Sequence, residues 1–218
     1  MKEALSKSAL FLIAHAIILS AGLVVIMLTD KNALHIWFNQ WHSSFGDTFF
    51  RYATHMAEGM MIGFMIFIIL IYKVRYAVAG LVGIVVSGLI TQFLKRVVFN
   101  DHFRPSKVLE GIADLHFVDG VNLHRSFSFP SGHSTSAFAL FFFLAYISPN
   151  KKLQGLCYAL ALITASSRVY LSQHFFEDVY VGSIMGTLIC FASMAFFQPQ
   201  SWGEKGLLAN FETNRTRS

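Results

Sequence analysis

Three polar clusters interrupt an otherwise apolar chain: Phe103-Arg104-Pro105, Pro130-Ser131-Gly132-His133, and Ser167-Arg168 followed by His174 and Asp178. Together they supply two histidines, an aspartate, fixed arginines and a glycine turn opening a helix, the parts needed to break a phosphate ester through a phosphohistidine. His174 and Asp178 stand four positions apart, so a helix or tight turn brings them together. An aspartate that accepts from one ring nitrogen fixes the tautomer and leaves the other nitrogen free to attack. The same pair also reads as a structural cap on the next helix. In Pro130–His133 the proline breaks the incoming chain, Gly132 permits close backbone approach, and an apolar helical run follows. Backbone N–H groups at a helix start form an anion site, to which Ser131 can add a hydroxyl and beside which His133 would stand. Alone, that tetrapeptide reads equally as a loop-to-helix turn with an interfacial histidine. Arg104 and Arg168 suit a phosphate because the planar guanidinium bonds two oxygens at once, although an arginine at a membrane boundary also snorkels. Lys95 and Arg96 end an apolar block and either reach the same anion or anchor a helix.

The elements that must position these clusters are membrane helices. The chain of 218 residues is 55% hydrophobic and only 13% charged, too apolar for an ordinary soluble domain. Its apolar residues fall into blocks near the roughly 20 residues a spanning helix needs. Six are expected: Ser8 to Leu28, Ala57 to Tyr72, Tyr76 to Leu94, Ser134 to Ser148, Leu153 to Ser172 and Val179 to Phe197. The fourth is short and can extend back to His133. The stretch from Asn32 to Thr54, with Trp37, Phe38, Trp41, Phe45, Phe49 and Phe50 among polar residues, is expected to lie in the interface. The fold class is therefore all-α: a polytopic bundle of six transmembrane helices plus an interfacial amphipathic segment. Residues 1–202 form one membrane-embedded domain, and 203–218 form a loosely ordered cytoplasmic tail. The first block is too long for a signal peptide and no small-residue cleavage site follows it, so it is expected to remain as an anchor. Cys157 and Cys190 lie inside expected spans and read as small packing residues.

The net charge of +5 does not point to nucleic acid. With the amino terminus placed inside, that side holds Lys2, Lys7, Lys73, Arg75, Lys151, Lys152, Lys205, Arg215 and Arg217. The other side holds Lys31, Arg51, Lys95, Arg96, Arg104, Lys107, Arg125 and Arg168, several of which belong to the polar clusters. Setting those aside leaves an inner excess. Both termini are then cytoplasmic and all three clusters share the outer face, periplasmic in a bacterial inner membrane. The long loop from Lys95 to Gly132 mixes charges with aromatics and aliphatics, as expected of a packed cap over a site. Within it Lys107 and Arg125 are candidates for a second phosphate, and His116 or His124 for a polar head group. His55 and Glu58, flanking the second span, are weaker candidates to line the site.

The clusters resemble the type-2 phosphatidic acid phosphatase superfamily, which shares its site with vanadium haloperoxidases. That family's pattern is a lysine, six residues and Arg-Pro; then Pro-Ser-Gly-His; then Ser-Arg, five residues, His, three residues and Asp. The second and third parts match without a gap at Pro130 to His133 and Ser167 to Asp178. The first departs, because eight residues separate Lys95 from Arg104, seven separate Arg96 from it, and Val97 holds the usual lysine position. A two-residue insertion in Asn100-Asp101-His102-Phe103 would account for this, and the lysine role stays open between Lys95 and Arg96. The resemblance implies that His174 is the nucleophile held by Asp178, that His133 protonates the leaving alkoxide, and that Lys95, Arg104, Ser131, Gly132 and Arg168 bind the phosphoryl oxygens. No metal and no other cofactor are expected. The expected substrate is a phosphate on a lipid; undecaprenyl diphosphate, lipid A phosphate, phosphatidylglycerol phosphate and phosphatidic acid are the candidates within the family. Two alternatives use the same residues: a lipid phosphotransferase with the same phosphohistidine, and a non-enzymatic anion-binding transporter or scaffold.

Overall fold

The structure is a computed structural model and describes residues 2–207. The end of the expected tail, from residue 208 on, lies outside that range. Among the described residues every regular element is helical. In chain order these are α1 (Lys2–Leu28), α2 (Lys31–Asn39), α3 (Ser44–Ala53), a 3-10 turn (Thr54–Ala57), α4 (Gly59–Tyr72), α5 (Val74–Phe93), a π turn (Leu94–Val98), α6 (Pro105–Val108), α7 (Gly132–Ile147), α8 (Lys151–Tyr170) and α9 (Phe176–Phe197).

Among the described residues three helices, spanning Glu3–Leu28, Val74–Val98 and Phe176–Phe197, are long and apolar enough to cross a membrane. The pair Ser44–Ala57 and Gly59–Tyr72, bent by 51°, makes a fourth if it is counted as one broken span. At 1.5 Å per residue, the 14 residues of α4 reach only about 21 Å, short of a hydrocarbon core of about 30 Å. The apolar faces of α1 and α5 are left open, with Ile13, Ile17, Met27, Leu28 and Leu89 exposed. Water would not tolerate so much contiguous apolar surface, whereas lipid does, and the chain is an integral membrane protein.

The central element is α7, whose residues from Thr135 to Phe143 are almost all buried against α5, α8, α9 and α1. Its apolar run reflects burial in protein rather than contact with lipid. The closest approach is to α9, at Gly182 and Gly186. A Cβ on Gly182 would lie 2.6 Å from the Ser131 carbonyl oxygen, and one on Gly186 would lie 2.2 Å from that of Thr135. These glycines are four apart, the small-residue spacing that lets membrane helices touch along their backbones. The contact fixes the Pro130–His133 turn against the start of α9, where the Ser131 N–H donates to the Asp178 carbonyl at 3.0 Å.

Three expectations change in detail. The interfacial stretch is two capped helices rather than one segment. Asp30 accepts from the N–H groups of Asn32 and Ala33 to start α2, and the Ser43 hydroxyl accepts from that of Gly46 to start α3. The fourth block starts at Gly132, so His133 is on the first turn of α7. The tail is not loose where it is described: Gly203 and Lys205 carbonyls accept from Arg75 and Val74, and Glu204 pairs with Lys73 and Arg75. The long loop packs as a cap, with Leu109, Leu115 and Phe175 in a small core joined by Ile36, Val108 and Ala113.

Candidate active site

The ends of α5, α7 and α8, the turn before α9 and the α3–α4 break converge on a cavity of about 430 Å³. Lys95, Arg104, Gly132, His133, Arg168 and His174 line it, together with His124, Glu58, Thr91 and Gln92. Residues from all three polar clusters therefore reach one chamber. Asp178 lies behind His174, with its Oδ2 3.2 Å from Nδ1. The same oxygen accepts from the Phe175 N–H at 3.0 Å and the Ser128 hydroxyl at 2.5 Å. With three donors around it the carboxylate is fixed, and an Nδ1–H donated to it leaves Nε2 as the nitrogen available toward the chamber. Burial first, and then Arg104, Lys95, Arg168 and His133, hold the His174 ring well below its ordinary pKa. The ring is therefore neutral.

Each cation is held by the protein from behind. The Lys95 ammonium donates to the Phe127 carbonyl at 3.0 Å. Arg104 donates through Nε to the Ser126 carbonyl at 3.0 Å and through Nη1 to the Gln173 carbonyl and Oε1 at 3.1 and 2.9 Å. Burial lowers its pKa to about 10, which leaves it charged at neutral pH. Arg168 donates through Nη1 to the Thr54 hydroxyl at 2.6 Å, while its buried Nε has no partner among the described residues. Buried, preoriented cations around a neutral imidazole make a chamber built for an anion.

Lys95, not Arg96, is buried in the chamber, while Arg96 is exposed. The reason is the π turn. The Phe99 N–H reaches back to the Leu94 carbonyl at 2.8 Å, so the last turn of α5 holds an extra residue. That turn, followed by a bend at Asn100-Asp101, takes up the longer interval before Arg104.

Two residues in the left-handed region support the site, Phe127 at φ 56° and Ser172 at φ 52°. Neither is glycine, and such backbone persists only where neighbours hold it. One supplies the carbonyl that anchors Lys95; the other lies two residues before His174.

The remaining candidates separate. Arg96, His124 and Arg125 line an adjoining cavity of about 370 Å³ that shares Gln92, Lys95, Arg104 and His124 with the first. Burial, then Arg104, Arg168 and Lys95, lower the His124 pKa. Arg125 also pairs with Glu110 at the rim. Lys107 and His116 line neither cavity. The Lys107 ammonium sits over the Phe103 ring at 3.3 Å. His116 Nε2 lies 3.0 Å from Asp47 Oδ2, so it ties the loop to α3 instead. Ser131 is fully buried: its Oγ accepts from the Ser134 N–H at 3.3 Å and the Ser134 hydroxyl at 2.8 Å, capping α7 from behind the chamber wall. Glu58 lines the chamber and its Oε1 lies 2.8 Å from His55 Nδ1. Sequence reasoning missed Thr54, Ser128 and Gln173, which contact Arg168, Asp178 and Arg104 without lining the chamber. No motif marks them. The glycine pair at 182 and 186 was missed as well, although its spacing of four is a signal that the sequence carries.

Comparison with known proteins finds relatives that are membrane lipid phosphatases. The curated relatives include the lipid A 4'-phosphatase of Bacteroides thetaiotaomicron, 28% identical over 160 residues that cover 70% of each chain. Another is phosphatidylglycerophosphatase B of Bacillus subtilis, 38% identical over 80 residues, covering 33% of this chain and 39% of that protein. Two crystal structures share the fold at 22% identity. LpxE of Aquifex aeolicus superposes with a TM-score of 0.67 over 75% of this chain and 93% of its own. The transmembrane PAP2-type phosphatidylglycerolphosphate phosphatase of Bacillus subtilis gives 0.62 over 93% and 100%. A model of the PAP2 superfamily matches residues 76–202, which take in all three polar clusters, and the chain belongs to that superfamily.

Proposed function

We propose that the protein is a membrane lipid phosphatase that hydrolyses a phosphate ester or diphosphate on a lipid through a phosphohistidine on His174. The observation that carries this reading is the geometry at His174: Nδ1 is engaged by Asp178 and the ring borders a chamber walled by Lys95, Arg104 and Arg168. Nε2 attacks phosphorus in line with the lipid oxygen. The P–O bond to the lipid breaks as the P–N bond forms, and His133 gives its proton to the departing alkoxide. Negative charge on the equatorial oxygens meets Lys95, Arg104, Arg168 and the N–H groups at the start of α7. Water then attacks the phosphohistidine, loses its proton to His133, and frees His174 and inorganic phosphate. Lys95 fills the lysine role because it, and not Arg96, reaches the chamber. The adjoining cavity with Arg96, His124 and Arg125 gives a further anion on the head group a place to sit, as a diphosphate requires.

The chain direction supports six spans. The helices α1, α4, α5, α7, α8 and α9 alternate, so that residues 28, 58, 95, 132, 168 and 176 share the site end. The opposite end collects Lys7, Lys73, Arg75, Lys151, Lys152 and Lys205, with Lys7 above the Tyr146 ring and the Lys7 carbonyl accepting from Gln154. A basic end marks the cytoplasmic side. The site then faces the periplasm, both termini face the cytoplasm, and lipid A and polyprenyl or glycerol lipid phosphates come within reach.

The test is phosphate release by the detergent-purified protein from a panel of these lipids, with His174→Ala beside it. Release by the wild type without an added acceptor, lost in the variant, supports hydrolysis. Loss of phosphate from the substrate only when a lipid acceptor is present, with the phosphate recovered on that acceptor and none released, would make the protein a phosphotransferase. Equal behaviour of the two proteins would overturn the reading.

A further inference from the structure

The helix α2 lies outside the family match and outside the three polar clusters, yet its buried face reaches the chain around His174 on both sides. His35 and Asn39 are the buried residues of α2. His35 Nε2 lies 3.1 Å from the Ser172 hydroxyl, and Asn39 Nδ2 donates to that same hydroxyl at 3.2 Å. The His35 ring meets the Phe175 ring edge-on at a centroid distance of 5.4 Å. Ser172 and Phe175 bracket Gln173, which holds Arg104, and His174.

Ser172 is the residue that needs holding. It is fully buried, and its φ of 52° is one that side-chain-bearing residues rarely adopt. The bend there folds the chain back, so that the N–H groups of Gln173 and His174 both donate to the Arg168 carbonyl, at 2.9 and 3.1 Å. That one conformation sets the direction of the imidazole, of the Gln173 amide and, through it, of Arg104. Asn39 is fixed in turn, because its side chain donates to the His116 carbonyl and accepts from the His116 N–H, both at 2.8 Å.

We propose that α2 is a positioning element for the nucleophile: His35 and Asn39 lock Ser172 in its left-handed conformation and thereby aim His174 into the chamber. This rests on the reading of His174 as the nucleophile. Neither α2 residue lines the chamber, so their loss acts on the chemical step rather than on substrate binding.

The test uses His35→Phe, which keeps a ring against Phe175 but removes the bond to Ser172. With a lipid phosphate that the wild type turns over, kcat is expected to fall roughly tenfold, the scale of one lost buried hydrogen bond, with KM within about twofold by the same scale. Adding Ser172→Gly to His35→Phe is expected to restore most of the loss, because glycine adopts positive φ without help. His35→Gln, which can still reach Ser172, is expected to stay near wild type. A purely structural α2 gives a different result: the loss follows thermal stability and the glycine does not rescue it. That outcome overturns the proposal, as does an unchanged kcat in His35→Phe. If His35→Phe does not fold, the same comparison is made with Asn39→Ala, alone and with Ser172→Gly. Failure of the nucleophile reading shows separately, as a wild-type enzyme that turns over without a phosphate on His174.

Discussion

Replacing Asp178 with asparagine tests how much of the rate comes from the charge behind His174. The side chain keeps its size, and its amide oxygen can still accept from Phe175 and Ser128, so the turn at the start of α9 is preserved. What changes is the field at the imidazole. As Nε2 bonds to phosphorus, positive charge develops on the ring, with Asp178 Oδ2 only 3.2 Å from Nδ1. Two unit charges at that distance interact by about 5 kcal/mol at an effective dielectric of about 20. With about half a charge developed in the transition state, the loss is about 2.6 kcal/mol, or roughly 80-fold in kcat. The assay is steady-state phosphate release in detergent on the best lipid of the panel, with a thermal scan showing that the variant is folded. KM is expected to move little. A kcat within fivefold of wild type, or a loss seen only in KM, would refute the assignment of Asp178 as the partner that stabilises charge on His174.

The glycine contact predicts a packing effect with a catalytic consequence. Gly186→Ala drives a Cβ into the Thr135 backbone and should cost about 1–3 kcal/mol of stability. Gly182→Ala should lower kcat as well, because it pushes Ser131 away from α9. Gly63→Ala has open space around it and should change neither thermal midpoint nor rate; equal effects at all three sites would contradict the account. Acidity gives another test. Burial holds His35 down to about 4, and burial with its cationic neighbours holds His174 well below 6.5. Both are neutral in the folded state and protonate near 6.5 once unfolded, so below that pH the unfolded state binds more protons. The thermal midpoint should hold above pH 6.5 and drop as the pH falls toward 4, less steeply in His174→Gln. A midpoint that rises on acidification would contradict this.

How far the sequence could be read depends on the kind of information involved. The His174–Asp178 contact was legible because a spacing of four is the same in sequence and on a turn. The bounds of α5, α7 and α8 were legible because Tyr76, Ser134 and Leu153 open apolar runs within two residues of the helix starts. The lysine was not settled by counting, since the π turn that buries Lys95 and exposes Arg96 is a backbone adjustment without a residue signature. The supporting residues were hidden for a different reason. Thr54 meets Arg168 across 114 positions, Ser128 meets Asp178 across 50, and His35 meets Ser172 across 137. Ordinary polar residues at such separations acquire meaning only when the chain is folded. His116 shows the converse, because its place in a loop near the site suggested a head group, whereas Asp47 and Asn39 use it to tie down the cap.

The most direct measurement of the central claim is chemical. The purified protein is mixed with a lipid carrying a radiolabelled phosphate, quenched within a turnover into alkali, where phosphohistidine survives, and digested for mass spectrometry. The account predicts label on the peptide containing His174, attached at Nε2, formed in the wild type and absent from His174→Ala. Label on another residue, or turnover in heavy-oxygen water with no covalent phosphate on the protein at any time, would contradict it.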